Sequence, residues 1–358
     1  MEAELKKNIW AVFLVAGIFW AAAFVRGDDV IGPFVDSQTN GVIYVDFSAI
    51  DMDQLDAWHA KMATTIPDDA ERAQQVKDMK EALGTMRKWV GDFRAAGGKD
   101  LYVVISLSGI MSGSPGGVVV PLNGGDGSAL AKVFPQAQAP PAGLPDASAA
   151  QWARMQPASA VVGGEMVFST GAGVDRMKTP SSEVRQDLAD ALAAGKGGAV
   201  EIAFNPAMLK NNPFFAMMLA RNGAGGPGQS PLSDPVWDGV TWVSVSLTAP
   251  PKEMGNLTIQ CKDADSAAAM SGWIAQKMQD GKADATKGGS ISADDYDKLI
   301  SVVKPVVKGS QVVVSVDQDA IDNVIGPIFM KSMVNTLQPA AGNGNLPATA
   351  PAPAENGM

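Results

Sequence analysis

The chain has 358 residues, and its 38 acidic against 28 basic side chains give a formal net charge of -10 at pH 7. This balance argues against nucleic acid or an anionic membrane surface as a partner. Cys261 is the only cysteine, which excludes an intramolecular disulfide, and His59 is the only histidine. A zinc or copper site built from soft ligands is therefore not expected.

The N-terminus carries an uncharged apolar run from Ile9 to Val25, which follows Lys6 and Lys7 and precedes Arg26. Its length lies at the short end of what spans a bilayer as a helix. The lysines predict a single-pass protein of the inner (cytoplasmic) membrane, with residues 1–8 inside and the bulk of the chain in the periplasm. The same run also fits a cleavable signal peptide that ends near Ala23.

The rest of the chain divides into a linker, two halves and a tail. Residues 26–40 are predicted to be a linker, and residues 41–196 and 197–337 to be two α+β repeats. Together the two halves are long enough for two modest domains. Residues 338–358 are rich in Pro, Ala, Gly and Asn and have too little apolar content to fold, so a disordered tail is expected.

Eight runs that are β-branched or alternate in polarity predict strands, because each is bounded by turn residues. They are Val42–Phe47, Leu101–Leu107, Gly117–Leu122, Ala160–Ser169, Ala199–Phe204, Val240–Leu247, Asn256–Cys261 and Ser310–Val316.

Helical patterns separate most of these runs. The clearest extends from Asp68 to Ala95, where six apolar residues recur at spacings of three and four and predict one buried stripe. They are Val76, Met79, Leu83, Met86, Val90 and Phe93.

The order of strands and helices is similar in the two halves and predicts the fold class. Each half has the βαββαβ order of a ferredoxin-like unit, followed by a further helix. We therefore predict an α+β protein with two tandem ferredoxin-like repeats after an N-terminal transmembrane helix. The sequence leaves open whether the repeats form one sheet or two.

Candidate chemical groups all have an ordinary structural explanation. His59 shares a helical face with Leu55 and Met62, which favours a structural histidine over a catalytic one. The glycine-rich stretch from Asn123 to Ser128 lacks the spacing and the lysine of a phosphate-binding loop. We predict no catalytic, cofactor-binding or metal-binding residues.

Acidic residues cluster at three corners between strands and helices. The first cluster lies around Asp46, the second around Asp294 and the third around Asp317. Helix capping explains such acids without a metal, because carboxylates near a helix N-terminus bind its free N–H groups. An enzyme that uses the corners around Asp46 and Asp317 is an alternative, and it requires these carboxylates to meet in one cleft.

The segment 206–220 is the most unusual patch, because large apolar residues occupy nearly every side of the predicted helix. Burial between the two halves explains this pattern, and a partly exposed groove for an apolar ligand or a partner helix is the alternative. The residues that would form this ligand or partner patch are Met208, Leu209, Phe214, Phe215, Met217 and Met218.

The layout resembles bacterial envelope proteins of unknown function, some of which are grouped under the label DUF3352. The resemblance rests on the N-terminal apolar segment, the string Val45-Asp-Phe-Ser-Ala-Ile-Asp51, the similar halves and the Pro-Ala tail. It implies an anchored extracytoplasmic region and carries no catalytic residues to this chain.

These observations predict a non-enzymatic, membrane-tethered binding module outside the cytoplasm, without a cofactor. Its membrane contact would be Ile9–Val25, its partner another envelope protein, and nucleic acid is not expected. A carrier or sensor of an apolar ligand that uses the segment 206–220 is the first alternative.

Overall fold

The computed structural model describes a single sheet with helices on both of its faces. The residues that it describes are 28–66, 68–107, 109, 116–123, 127–139, 146–179, 181, 185–210, 231–287, 292–328 and 330.

The ten strands found in these ranges all belong to this sheet, and every neighbouring pair is antiparallel. The strands are β1 (Gly41–Asp46), β2 (Asp100–Ile105), β3 (Gly116–Pro121), β4 (Pro157–Val162), β5 (Glu165–Thr170), β6 (Val200–Phe204), β7 (Val240–Leu247), β8 (Gly255–Cys261), β9 (Val306–Lys308) and β10 (Gln311–Val316).

The order of the strands across the sheet contradicts the prediction of two ferredoxin-like repeats. The order is β4-β5-β3-β2-β1-β6-β7-β8-β10-β9, so β1 and β6 pair in the middle and join the two halves. In each half the first three strands form a meander, and the last two form a hairpin at the outer edge. A ferredoxin-like unit has a split βαβ order, in which another strand lies between the two parallel strands that a helix joins. Here β1 and β2, which residues 47–99 connect, are direct antiparallel neighbours.

Helices connect the strands and cover the sheet. They are α1 (Asp28–Ile31), α2 (Met52–Ala63), α3 (Asp69–Ala95), α4 (Ser128–Ala131), α5 (Asp146–Met155), α6 (Gly171–Met177), α7 (Gln186–Gly195), α8 (Pro206–Lys210), α9 (Ala264–Lys287), α10 (Ala293–Val302) and α11 (Gln318–Ala320).

The two faces of the sheet bury different apolar residues, because side chains alternate along each strand. On the first face, Val42 and Tyr44 of β1 pack with α1, α6 and α7. On the second face, Ile43 and Val45 of β1 pack with α2 and α3. Further along the second face, α9 packs on β8 and β10. The central strands are therefore covered on both sides.

The predicted apolar stripe of α3 is confirmed over most of its length. Leu83, Val90 and Phe93 are buried, and Phe93 packs against the second face of the sheet. Val76, near the start of the stripe, is exposed.

The prediction of one continuous strand over Ala160–Ser169 is wrong, because these residues belong to the hairpin of β4 and β5. Gly163 and Gly164 have φ angles of +62° and +93°, a conformation that glycine adopts without steric cost. They form a two-residue turn between β4 and β5, with Val162 opposite Glu165. The short strand β9 has no counterpart in the prediction.

The prediction of a transmembrane helix, with the single-pass inner-membrane location that follows from it, is corrected by the structure. None of the helices in the described ranges is long and apolar enough to cross a bilayer. The segment on which the prediction was based, Ile9–Val25, lies outside the described residues.

Candidate functional site

A cavity of about 280 Å³ lies on the first face of the sheet, between β1, α7 and the residues that precede β1, 31–35, which belong to the N-terminal segment 28–40. We call it the N-terminal cavity. Its walls are mainly apolar and are formed by residues that include Ile31, Pro33, Val35, Val42, Leu188 and Leu192.

The sequence of α7 explains one wall of this cavity. Leu188, Ala191, Leu192 and Gly195 are buried at spacings of three and four, so the helix presents one apolar stripe to the sheet. Leu188 and Leu192 lie on the part of this stripe that also lines the cavity.

The opposite wall is formed by α1 and the 3-10 turn Gly32–Phe34 that follows it. The backbone N–H of Ser181 donates a hydrogen bond of 3.0 Å to the carbonyl of Pro33. Asp36 then accepts a bond of 2.9 Å from the backbone N–H of Gln38, which turns the chain towards β1.

Arg185 is the charged residue of the cavity lining, and its guanidinium is occupied by protein groups. It donates two bonds, of 2.9 and 2.7 Å, to Asp187 and two more, of 3.0 and 2.6 Å, to the carbonyls of Asp36 and Thr39. Burial raises the pKa of Asp187, but the bonds from Arg185 and Asn205 outweigh it and hold that pKa below its ordinary value. The cavity therefore offers apolar surface without an unneutralised charge.

A second pair of ions fixes the N-terminal segment to α6. Arg176 bonds to both carboxylate oxygens of Asp36, at 2.9 and 2.6 Å. Burial acts to raise the pKa of Asp36, but the hydrogen bond and the charge of Arg176 outweigh it, and the pKa is lowered. This pair orients the segment that leads into β1.

A cluster of two acids and two tyrosines lies on the same face, at the end of the central strands. We call Tyr44, Asp46, Asp100 and Tyr102 the acid–tyrosine cluster. Asp46 is opposite Asp100 and Tyr44 is opposite Tyr102 in the β1–β2 ladder. The relative exposure of Asp46 is 0% and that of Asp100 is 8%. Period-two alternation therefore places both acids among core side chains.

The register brings the two carboxyl groups close together. The N–H of Phe47 donates a hydrogen bond of 3.0 Å to the carbonyl of Lys99, so these two residues form a hydrogen-bonded pair. Because hydrogen-bonded and non-hydrogen-bonded pairs alternate along an antiparallel ladder, the next pair, Asp46 and Asp100, is non-hydrogen-bonded. In such a pair the Cα atoms are only about 4.5 Å apart, and the side chains are at their closest. Like charges in this position repel each other.

Hydrogen bonds distinguish the two acids. Oδ1 of Asp46 accepts bonds from the N–H and the hydroxyl of Ser48, at 2.7 and 2.5 Å, whereas its Oδ2 is buried without a hydrogen-bond partner among the described residues. The hydroxyl of Tyr44 donates to Oδ2 of Asp100 at 3.3 Å. Burial raises the pKa of Asp100, and the nearby charge of Asp46 raises it further. Burial and this charge therefore favour the neutral form of Asp100.

The prediction of helix capping at the acidic corners is confirmed for Asp51 and Asp317. Asp51 accepts bonds from the backbone N–H groups of Asp53 and Gln54, and Asp317 accepts one from Ala320. Ser292 caps α10 in the same way through the N–H of Asp295. Capping therefore accounts for Asp51 and Asp317, whereas Asp53, Asp297 and Asp322 form ion pairs with Arg87, Lys282 and Lys61.

The enzyme alternative required the corners around Asp46 and Asp317 to meet, and the structure keeps them apart. Asp46 ends β1 and Asp317 follows β10, with β6, β7 and β8 between these strands. Four strand spacings of about 4.8 Å correspond to roughly 19 Å. The structure brings Asp46 to Asp100 instead, a residue that the sequence did not single out.

The predicted apolar patch lies partly within the described residues. Met208 and Leu209 are half-buried in α8. The other four residues, Phe214, Phe215, Met217 and Met218, lie outside the described residues. The patch therefore stays a prediction.

His59 and Cys261 are both buried. Burial lowers the pKa of His59, against a smaller opposing effect of Asp56. Among the side chains that the structure describes, no group of three or more His, Cys, Asp or Glu residues is arranged to hold a metal ion.

Comparisons with known proteins found no matching family model, no matching curated protein and no matching solved structure. The resemblance to the DUF3352 envelope proteins therefore stays a prediction.

Proposed function

We propose that this protein is a non-enzymatic binding module that holds a small, uncharged apolar ligand in the N-terminal cavity. The observation that carries the proposal is the cavity itself, about 280 Å³ in volume and lined mainly by aliphatic side chains. An engineered apolar cavity of about 150 Å³ stays dry and binds benzene. The N-terminal cavity has room for a larger molecule of the same chemical kind.

The charge arrangement supports an uncharged ligand over a fatty acid or another anion. Arg185 is the cation at the cavity, and Asp187 already neutralises it through two hydrogen bonds. A carboxylate ligand would have to displace Asp187 or lie unpaired against apolar walls, and an unpaired buried charge is costly. An aromatic or aliphatic hydrocarbon loses nothing by the same transfer.

This proposal moves the predicted apolar-ligand site from the segment 206–220 to a different part of the chain. Two short structural elements, α1 and the Gly32–Phe34 turn, form one wall of the cavity, and β1 and α7 form the remainder. A ligand here would contact the central strand of the sheet through Val42.

The test uses naphthalene as the uncharged probe and 2-naphthoate as its charged match, with binding followed by calorimetry on the full chain. Ala189 lines the cavity, and Ala193 is an exposed residue one turn further along α7. We expect naphthalene to bind the wild type and Ala193→Phe, and to lose at least tenfold in affinity for Ala189→Phe. Thermal unfolding of both variants reports whether each is folded.

Equal binding of naphthalene to Ala189→Phe and Ala193→Phe would show that the probe binds elsewhere and would overturn the proposal. So would preferential binding of 2-naphthoate, because it would require a free cation in the cavity. Native mass spectrometry of the purified chain then identifies any small molecule that is retained from the cell.

A further inference from the structure

The two outer edges of the sheet differ in how they are protected from pairing with another strand. Among the residues that the structure describes, β4 forms one edge and β9 the other, and no further strand pairs with either. An unpaired edge strand is a template for strand addition unless charges, proline or short length prevent it.

β9 carries all three of these protective features. It is only three residues long, Val306–Lys308, and it is preceded by Lys304 and Pro305. Lys304 and Lys308 are both exposed, so a second strand would meet two positive charges at this edge.

β4 has almost none of them. Its six residues, Pro-Ala-Ser-Ala-Val-Val, include no charge, and the proline is at the first position, where it interrupts nothing. Ser159 and Val161 are exposed, and the relative exposure of Val161 is 55%. This edge is therefore uncharged and regular, with the β-branched residues that favour a strand.

The register of the β4–β5 hairpin determines which backbone groups of β4 face outward. Val162 and Glu165 close the two-residue turn, and the N–H of Gly171 bonds to the carbonyl of Gln156 at 3.0 Å. Even-numbered residues of β4 therefore bond to β5, and those of odd number direct their N–H and C=O groups away from the sheet. Ser159 and Val161 each offer one donor and one acceptor, whereas Pro157 has no N–H.

We propose that β4 pairs antiparallel with β4 of a second copy of this chain, with Ala160 opposite the partner's Ala160. In this register Ser159 faces the partner's Val161, and Val161 faces the partner's Ser159. Each of these pairs exchanges two hydrogen bonds, so all the outward donors of Ser159 and Val161 are used. If the partner strand is shifted by two residues so that Pro157 lies opposite the partner's Val161, the hydrogen bonds that need an N–H at residue 157 cannot form, because proline has none.

The outward groups of Ser159 and Val161 lie symmetrically on either side of Ala160, so a two-fold axis at Ala160 matches every donor with an acceptor and favours a second copy as the partner. A chain of net charge -10 repels its own copies over most of its surface, and β4 itself adds nothing to that repulsion. One strand pair alone buries less than the roughly 1,200 Å² of a stable interface. We therefore expect a weak dimer that forms as concentration rises.

Disulfide trapping tests both the pairing and its register. Opposed Cα atoms in a pair without backbone hydrogen bonds are about 4.5 Å apart, within the range for a disulfide. Cys261 is buried, with 1% relative exposure, so a cysteine introduced on β4 is the reactive thiol. We expect Ala160→Cys to form a covalent dimer under mild oxidation.

Ala158→Cys is the matched control, because both alanines are half-buried and lie on the same face of the same strand. In the proposed register the two copies of residue 158 are four residues out of line, or roughly 13 Å apart. We expect at least tenfold slower cross-linking for Ala158→Cys. Equal rates, or faster cross-linking through residue 158, would overturn the proposed register.

Sedimentation equilibrium tests the pairing without a cysteine. Val161→Lys adds a charge to the exposed face of β4, and Val306→Lys adds one to the opposite edge, where exposure is 51%. We expect the wild type and Val306→Lys to dimerise with similar constants, and Val161→Lys to weaken dimerisation at least tenfold. A wild type that stays monomeric up to about 1 mM, an order of magnitude that corresponds to very weak association, would overturn the proposal. A cross-link of the Ala160→Cys variant to a different polypeptide, without any homodimer, would also overturn the proposal.

Discussion

Asp46 and Asp100 are direct cross-strand neighbours on β1 and β2, and both carboxyl groups are buried on the same face of the sheet. Neither acid forms an ion pair with a described Lys, Arg or His, although the charge of Lys99 acts to lower the pKa of Asp100 and opposes part of the repulsion. Ser48 donates two hydrogen bonds to Asp46, whereas burial and the charge of Asp46 raise the pKa of Asp100. Asp100 consequently takes up a proton more readily than an exposed aspartate would.

This relationship predicts that Asp100→Asn stabilises the protein increasingly as the pH rises. The pKa of Asp100 is higher in the folded state than its ordinary value, so its contribution to stability is complete at low pH and is lost as the pH rises through the folded pKa. Asparagine can still accept the bond from Tyr44 and does not ionise. We expect a gain of about 1 kcal/mol in the free energy of unfolding at pH 8 and a smaller gain at pH 4.

Urea unfolding at pH 4, 6 and 8 measures this effect, and a double-mutant cycle with Asp46→Asn isolates the interaction between the two acids. Asp280→Asn, on an exposed turn of α9, is the control and should leave the pH dependence unchanged. A coupling energy between residues 46 and 100 that is the same at pH 4 and pH 8 would contradict the prediction.

Much of the secondary structure could be predicted because it depends on local patterns. Strand β7 is predicted at its observed bounds, Val240–Leu247, since the run is β-branched and bounded by turn residues. The hairpin of β4 and β5 was missed although its signal, Gly163-Gly164 between two apolar runs, is also local.

The arrangement of the sheet and the site could not be predicted in the same way. The order βαββαβ is compatible with several strand arrangements, and the chain order alone does not say which strands pair. Asp46 and Asp100 are 54 residues apart, and their contact depends on the register of β1 against β2. The N-terminal cavity depends on how α1 and α7 pack over Val42, which no single segment encodes.

The Asp36–Arg176 pair predicts a loss of stability at acidic pH. The pKa of Asp36 is lowered in the folded state, so its contribution is present above the ordinary aspartate pKa and is lost as the pH falls through the folded pKa. Both side chains are less than a third exposed, at 26% and 19%. We expect Asp36→Asn to cost about 1–3 kcal/mol at pH 7 and progressively less below pH 4.

Hydrogen exchange of residues 36–42 and urea unfolding between pH 2.5 and 7 test this expectation. Asp175→Asn removes the exposed ion pair between Asp175 of α6 and Lys178, the residue that follows the helix, and serves as the matched control. Exposed pairs contribute little, so this variant should resemble the wild type throughout. The same cost for Asp36→Asn at pH 2.5 and pH 7 would show that the charge of Asp36 is not what stabilises the segment.

At the corner between β1 and α2, helix capping and calcium binding predict different effects of substituting Asp51. Asp51 is exposed, and its Oδ1 accepts bonds of 2.8 and 3.2 Å from the backbone N–H groups of Asp53 and Gln54. We expect Asp51→Ala to lower the free energy of unfolding by about 1 kcal/mol, because two N–H groups at the start of α2 lose their acceptor. Asp51→Ser should recover most of that loss, since serine is an equally good cap without a charge.

Thermal unfolding with and without 1 mM Ca²⁺, a concentration that saturates most calcium sites, completes the experiment. Capping predicts the same melting temperature in both buffers for all three proteins. A rise with Ca²⁺ that is present in the wild type and absent from both Asp51 variants would instead identify this corner as a cation site.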